Sequence, residues 1–214
     1  VNVGKPQVVY RETITKAAEA ESSFDREIAG VLHYAQVELH LEPRPRGKGN
    51  LFRELVRDSS LPNSLVPAVE EGVMESLASG VIAGYPMVDV EVAVIGGIYK
   101  EQTASELAFK VAASTALQEG CRKAQPQLLE PIMSVEVIVP EEFTGEVIND
   151  LSMRKGKIEG VHTRRSVKII HATMALSQMF GYSTALRSAS QGRATFTMQF
   201  SHFDSLVEKK ELFF

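Results

Sequence analysis

The chain has 214 residues, with 23 Lys+Arg against 27 Asp+Glu for a formal net charge of −4, and it is 44% hydrophobic and 23% charged. Those are globular proportions that argue against wholesale disorder, and the slightly acidic balance excludes a strongly cationic nucleic-acid binder while leaving room for local basic patches. One cysteine, Cys121, excludes an intramolecular disulfide framework and a cysteine-based zinc cage and fits a reducing compartment, and no apolar run approaches the ~20 residues of a bilayer span.

The first residue is Val1 and no signal-peptide pattern follows, so the sequence reads as a piece of a longer chain or a processed one. Val8–Ile14 is a β-rich run. Val37, Leu39 and Leu41 alternate with Glu38 and His40, the period of a strand with one wet face. Phe52–Val56 is a weaker strand. Leu65, Val69, Val73 and Leu77 step by four along an amphipathic helix, and Val88–Val94 alternates as a strand in which Asp89 and Glu91 read as a solvated face. Thr103 and Glu106 have capping-box spacing ahead of a helix from about Ser105 to Lys123, whose Ala112, Ala113 and Ala116 permit close packing on a sheet. These elements predict an α+β domain.

A boundary falls near 125–130, at Gln125-Pro126, where the charge also changes. Residues 1–127 carry 13 basic and 17 acidic side chains, and residues 128–214 carry 10 of each. The predicted domains are 1–127 and 128–214. In the second, Met133, Val135, Val137 and Val139 alternate up to Pro140, and Phe143, Val147 and Leu151 form a helical stripe. Strands over Lys157–Arg165 and Val167–Met174 follow, then a helix over about Met179–Ser190 and a strand from Ala194 to Phe200. The order β-α-β-β-α-β is the ferredoxin-like plan, a four-stranded sheet with both helices on one side.

Catalytic motifs are missing. Neither Gly4-Lys5-Pro6 nor Gly47-Lys48-Gly49 matches a phosphate-cradling loop, and the Ser188–Gly192 run has the wrong order for a nucleophile elbow. The five histidines are scattered without ligand spacing, so no metal site is expected. Arg44, Arg46, Lys48 and Arg53 cluster in a Pro/Gly loop, and Arg154, Lys155 and Lys157 close the first helix of the second domain; both clusters are candidates for phosphate contact. An RNA-recognition reading of the ferredoxin-like sheet needs aromatics for base stacking, and Met133–Val139 and Val167–Met174 contain none, so that reading fails.

Several segments, in order, resemble the C-terminal part of elongation factor G, the translational GTPase that moves transfer RNA and messenger RNA through the ribosome. Val3–Ile14, Gly84–Val90 and Ser105–Lys110 resemble its fourth domain. Leu129–Met133, Glu141–Gly145, Met179–Tyr182 and Leu186-Arg187-Ser188 through Gln191-Gly192-Arg193 resemble its fifth. The resemblance implies an α+β first domain with a left-handed βαβ crossover and a ferredoxin-like second. It implies no cofactor in this chain, with GTP and Mg belonging to a domain that precedes Val1 in a GTPase parent. It further implies a cytoplasmic monomer with ribosomal RNA as partner: the first domain's tip at the small-subunit decoding site, the second domain at the large-subunit GTPase-associated centre and sarcin–ricin loop.

Arg187, Ser188 and Gln191 match the positions facing that large-subunit loop. The tip positions are Ala29, Gly30, Val31, Leu32, His33, Tyr34 and Ala35, where the family carries a Gly-Gly-Arg-Gly-Gln-Tyr-Gly-like loop, and Lys100 stands after Tyr99 where a histidine is usual. Two apolar side chains thus replace the arginine and a glycine. The departure fits a divergent paralogue acting in ribosome recycling or stress, with lineage drift in a working translocase as the alternative. Two rivals come from other classes, a protein–protein adaptor and a stand-alone enzyme that uses a cleft.

Overall fold

The computed structural model describes residues 8–57 and 60–205, so the opening Val3–Gln7 of the motif lies outside the described residues. The chain divides into two compact units, one of Tyr10–Leu129 and one that takes Val8 and Val9 together with the residues from Glu130 onward.

The first unit holds a sheet of β2 (Ala18–Ile28), β3 (Val31–Pro43), β5 (Val90–Ile98) and β4 (Leu51–Glu54), in that spatial order. β2–β3 and β3–β5 are antiparallel, whereas β4 lies parallel to β5. The parallel pair is joined through α1 (Val66–Ser79), which makes β4–α1–β5 the βαβ unit. α2 (Glu106–Lys123) packs beside α1 and over β2 and β3. Its Ala112, Ala113 and Ala116 are buried, and a Cβ on Gly120 would come within 2.7 Å of Leu41 Cδ1, so small residues let the helix seat close to the sheet. Val37, Leu39, Leu41, Val92 and Val94 point into this core.

Four expectations change. The first strand, β1, is Arg11–Ile14, shorter than the Val8–Ile14 run, and it pairs with residues 126–129. β2 has no counterpart in the sequence reading. Its inward positions, Ala18, Ala20, Ser22 and Phe24, alternate with Glu19, Glu21, Ser23 and Asp25, but small and polar inward residues hide the hydrophobic period. The cap of α2 is Ser105, whose Oγ accepts from Ala108 N at 3.1 Å, and not Thr103. Asp89 is buried, not part of a wet face, while Glu91 is half-exposed.

Two buried carboxylates organise the loops of this unit. Glu12 accepts from four backbone N–H groups: Val81 at 2.7 Å, Ile82 at 2.6 Å, Ala83 at 3.1 Å and Tyr85 at 2.9 Å. Asp89 accepts from Gly47 N at 3.0 Å and Gly49 N at 2.8 Å and pairs with Arg46 at 3.3 Å. Each carboxylate satisfies donors that a buried loop would otherwise leave unpaired.

The second unit follows the ferredoxin-like order. β6 (Pro126–Pro140) contributes its residues from Glu130 on, followed by α3 (Thr144–Met153), β7 (Lys157–Arg164), β8 (Val167–Ala175), α4 (Tyr182–Ala189) and β9 (Thr195–Asp204). The antiparallel order is β9-β6-β8-β7. Val135, Val137 and Val139 of β6 and Ile170, Ala172 and Met174 of β8 face Val147, Leu151, Tyr182 and Leu186 of the helices. The predicted helix over Met179–Ser190 is a 3-10 turn at Leu176–Met179 and then α4, separated because Gly181 is left-handed at φ 73°. Burial raises the Tyr182 hydroxyl above its ordinary pKa, with Asp150 adding to the effect.

Candidate nucleic-acid interface

The expected tip residues of the first unit gather at the β2–β3 hairpin. Ala29 and Gly30, at φ 52° and 80°, form the two-residue turn that positive φ at both positions makes tight. Ile28 lies opposite Val31, and Glu27 opposite Leu32. Because facing residues share a side, Ile28 and Val31 project on one face of the ribbon and Leu32 on the other. Val31 and Leu32 are 56% and 57% exposed, which makes an apolar end where a cationic one was the family expectation.

His33 and Tyr34 stand one step back and are engaged. His33 Nδ1 is 2.8 Å from Ser105 Oγ, and Tyr34 N donates to Thr103 O at 2.9 Å. Lys100 Nζ sits 4.1 Å from the centre of the Tyr34 ring, a cation–π contact that fixes the second tip loop against the first.

The arginines of the Pro/Gly loop are largely spent on the loop itself. Arg44 Nη1 donates to Lys48 O and Gly49 O, Arg46 pairs with Asp89, and Arg53 pairs with Glu91 at 2.8 Å. The sheet face away from the helices is acidic. Glu21 lies opposite Glu38, and Glu42 opposite Glu91. His40 bridges Glu19 at 3.1 Å and Glu42 at 3.0 Å. The hydrogen bond that His40 donates to Glu42 raises the His40 pKa above its ordinary value; burial opposes this and Glu19 reinforces it. This face repels phosphate.

In the second unit, Arg187 and Ser188 lie in the last turn of α4 and Gln191 just beyond it. Gly192 N donates to Arg187 O at 2.8 Å, with Gln191 and Gly192 at φ 51° and 76°. Beneath the turn, the buried Ser190 hydroxyl donates to Leu186 O at 2.7 Å and accepts from Ala194 N at 3.0 Å. These hydrogen bonds tie the turn down, and it presents Arg187, Ser188 and Gln191 exposed, with no side-chain partner among the described residues. Arg193 is occupied instead, paired with Glu142 and lying over the Phe143 ring.

The other basic cluster is not a free patch. Arg154 binds Asp150 at 3.0 Å and the carbonyls of Gln178 and Phe180, and stacks 5.3 Å from the centre of the Tyr182 ring. It is a structural clamp. Lys157 is 3.5 Å from Glu159, which leaves Lys155 as the exposed cation of the three without a partner among the described residues.

No group of three or more potential metal ligands occurs among the described residues. No described helix is long and apolar enough to cross a membrane. Cys121 is buried and its thiol is pushed up to about 12, chiefly by desolvation and then by Glu12, so it is no nucleophile.

Comparison with known proteins agrees with the architecture. The model of elongation factor G domain IV matches residues 6–125, and that of the elongation factor G C-terminus matches residues 127–211. A crystal structure of a protein from Thermus thermophilus is similar at 35% identity with a TM-score of 0.83. The match covers 92% of this chain and 30% of the Thermus one, so the chain spans about a third of the length of that relative. With both units matched, in order, over almost all of its length, the chain belongs to the elongation factor G family and carries its domain IV and its C-terminal domain.

Proposed function

We propose that this chain is the ribosome-binding part of a translational GTPase that promotes GTP-dependent movement of transfer RNA and messenger RNA. GTP and Mg are handled in a domain outside it, and this part works by shape and charge in the cytoplasm. The observation that carries the reading is the α4 turn. Arg187 offers a planar, multi-donor cation, and Ser188 and Gln191 offer neutral hydrogen bonds, none committed within the described residues. The chain should compete with a full-length factor for ribosomes, and raising salt should weaken the competition. Arg187→Ala should weaken it by about tenfold. A flat salt response with an unaffected Arg187→Ala would point to protein contacts and sink the RNA reading.

The hairpin favours a second reading, a paralogue that recycles ribosomes or acts under stress. Its end carries Ile28, Val31 and Leu32 on a tight turn, and a small-subunit RNA surface calls for a cation there. In the intact factor, Ala29→Gly, Val31→Arg and Leu32→Gly together are expected to raise translocation while leaving subunit splitting unchanged. No gain in translocation would remove the tip as its cause.

A further inference from the structure

The sheet of the second unit has a face that neither described helix of that unit covers, and the strand register lays out what stands on it. Val135, Val137, Ile170 and Ala172 point into the core, so their alternating neighbours point the other way. Along β6 these are Ser134, Glu136 and Ile138; along β8, Thr173, His171 and Ile169. Across one row, Thr197, Glu136, His171 and Gly160 lie side by side; across the next, Thr195, Ile138, Ile169 and His162. The His162 and His171 rings meet edge-on with centroids 5.5 Å apart.

Three features make this a shaped surface and not merely a wet one. Gly160 stands directly opposite His171 with no side chain, and a Cβ built there would meet only His162 Nε2, at 3.6 Å. The His162 ring edge therefore leans over Gly160, and the two imidazoles meet there at 65° to form a corner. Ser134, Glu136, Thr197 and Gln199 line a shallow depression around His171, offering hydrogen-bond donors and acceptors at its rim. At the end of the β7–β8 hairpin, Arg164 and Arg165 are exposed, with no partner among the described residues.

We infer that this open face is a binding platform for single-stranded RNA, on which one or two bases stack against His171 and His162. The polar rim reads the base edges, and the arginine hairpin holds the phosphates. His171 stands on the central strand β8, where such platforms carry a stacking ring, and His162 stands beside it on the edge strand β7; histidine serves as such a ring. The absence of Phe, Tyr and Trp from β6 and β8 does not remove the stacking surface, because imidazoles supply it. The platform is separate from the α4 turn, and binding of a free oligonucleotide here stands or falls independently of ribosome binding.

The test titrates the 214-residue chain with hexamers of riboadenosine, ribouridine and ribocytidine, followed by NMR and fluorescence anisotropy. At least one hexamer should bind below about 1 mM and shift the ring resonances of His162 and His171. His171→Ala and His162→Ala should each weaken binding about fivefold or more. His171→Phe should preserve or tighten it, which a merely structural histidine would not do. No imidazole shift with any hexamer would overturn the platform, as would binding indifferent to both alanine variants. Should a variant fail to fold, the histidine resonances of the unaltered chain decide the matter.

Discussion

Glu12→Ala is expected to destabilise the first unit by about 3–5 kcal/mol, read from urea unfolding. The carboxylate is fully buried and receives four backbone N–H groups from residues 81–85. Alanine leaves those donors without an acceptor inside the protein, and each unmade hydrogen bond of this kind costs about 1–3 kcal/mol before relaxation. Glu12→Gln should recover little. Its amide keeps one acceptor oxygen but turns an NH2 group toward N–H donors, so half the contacts become donor against donor. A loss below about 1 kcal/mol for the alanine variant would mean that water replaces the carboxylate and that the loop does not depend on it.

Gly72→Val should cost about 3 kcal/mol, by the same measurement. Gly72 lies on α1 where α2 crosses, and a Cβ there would stand 2.2 Å from the backbone oxygen of Lys110. A main-chain carbonyl cannot swing aside as a side chain can, so the two helices must separate and their shared core with them. Helix propensity pulls the other way, because glycine is the poorer helix former, but that gain is below about 1 kcal/mol. The Lys110 ammonium, bridging Glu71 at 3.1 Å and Glu75 at 2.9 Å, sits over the same crossing and would be displaced. Unchanged stability would show that the helices separate freely at this point.

What the sequence made legible were the elements with strong apolar periods. β3 and β5 alternate valine and leucine with charge, and α1 repeats Val69, Val73 and Leu77, so their burial could be read directly, whereas Leu65 caps the helix and is half-buried. β2 stayed hidden because its inward side is built from Ala18, Ala20 and Ser22, small enough to fit beneath α2 and therefore too weakly apolar to register. Glu12 and Asp89 were opaque for another reason. Their partners are backbone N–H groups, and those of Glu12 lie about seventy positions away, so no side-chain pattern records the pairing.

The sites divide along the same line. Arg187, Ser188 and Gln191 come from resemblance, and the geometry of their turn rests on the Ser190 hydroxyl, which the motif alone did not single out. Arg154 read as a surface cation until its ring and carbonyl partners, twenty-four or more residues away, were in view. His162 and His171 looked scattered because their adjacency exists only in the strand register.

Each unit closes a core of its own, and that division governs how any of these variants can be measured. The chain has no tryptophan and five tyrosines. Tyr10, Tyr34, Tyr85 and Tyr99 belong to the first unit, and Tyr182 alone to the second. Intrinsic fluorescence is accordingly weighted toward the first core, so a Glu12 or Gly72 lesion would dominate the optical signal while a defect around Tyr182 passed almost unseen. Two-state arithmetic then belongs to each half by itself, and one melting temperature for the whole polypeptide has no thermodynamic meaning.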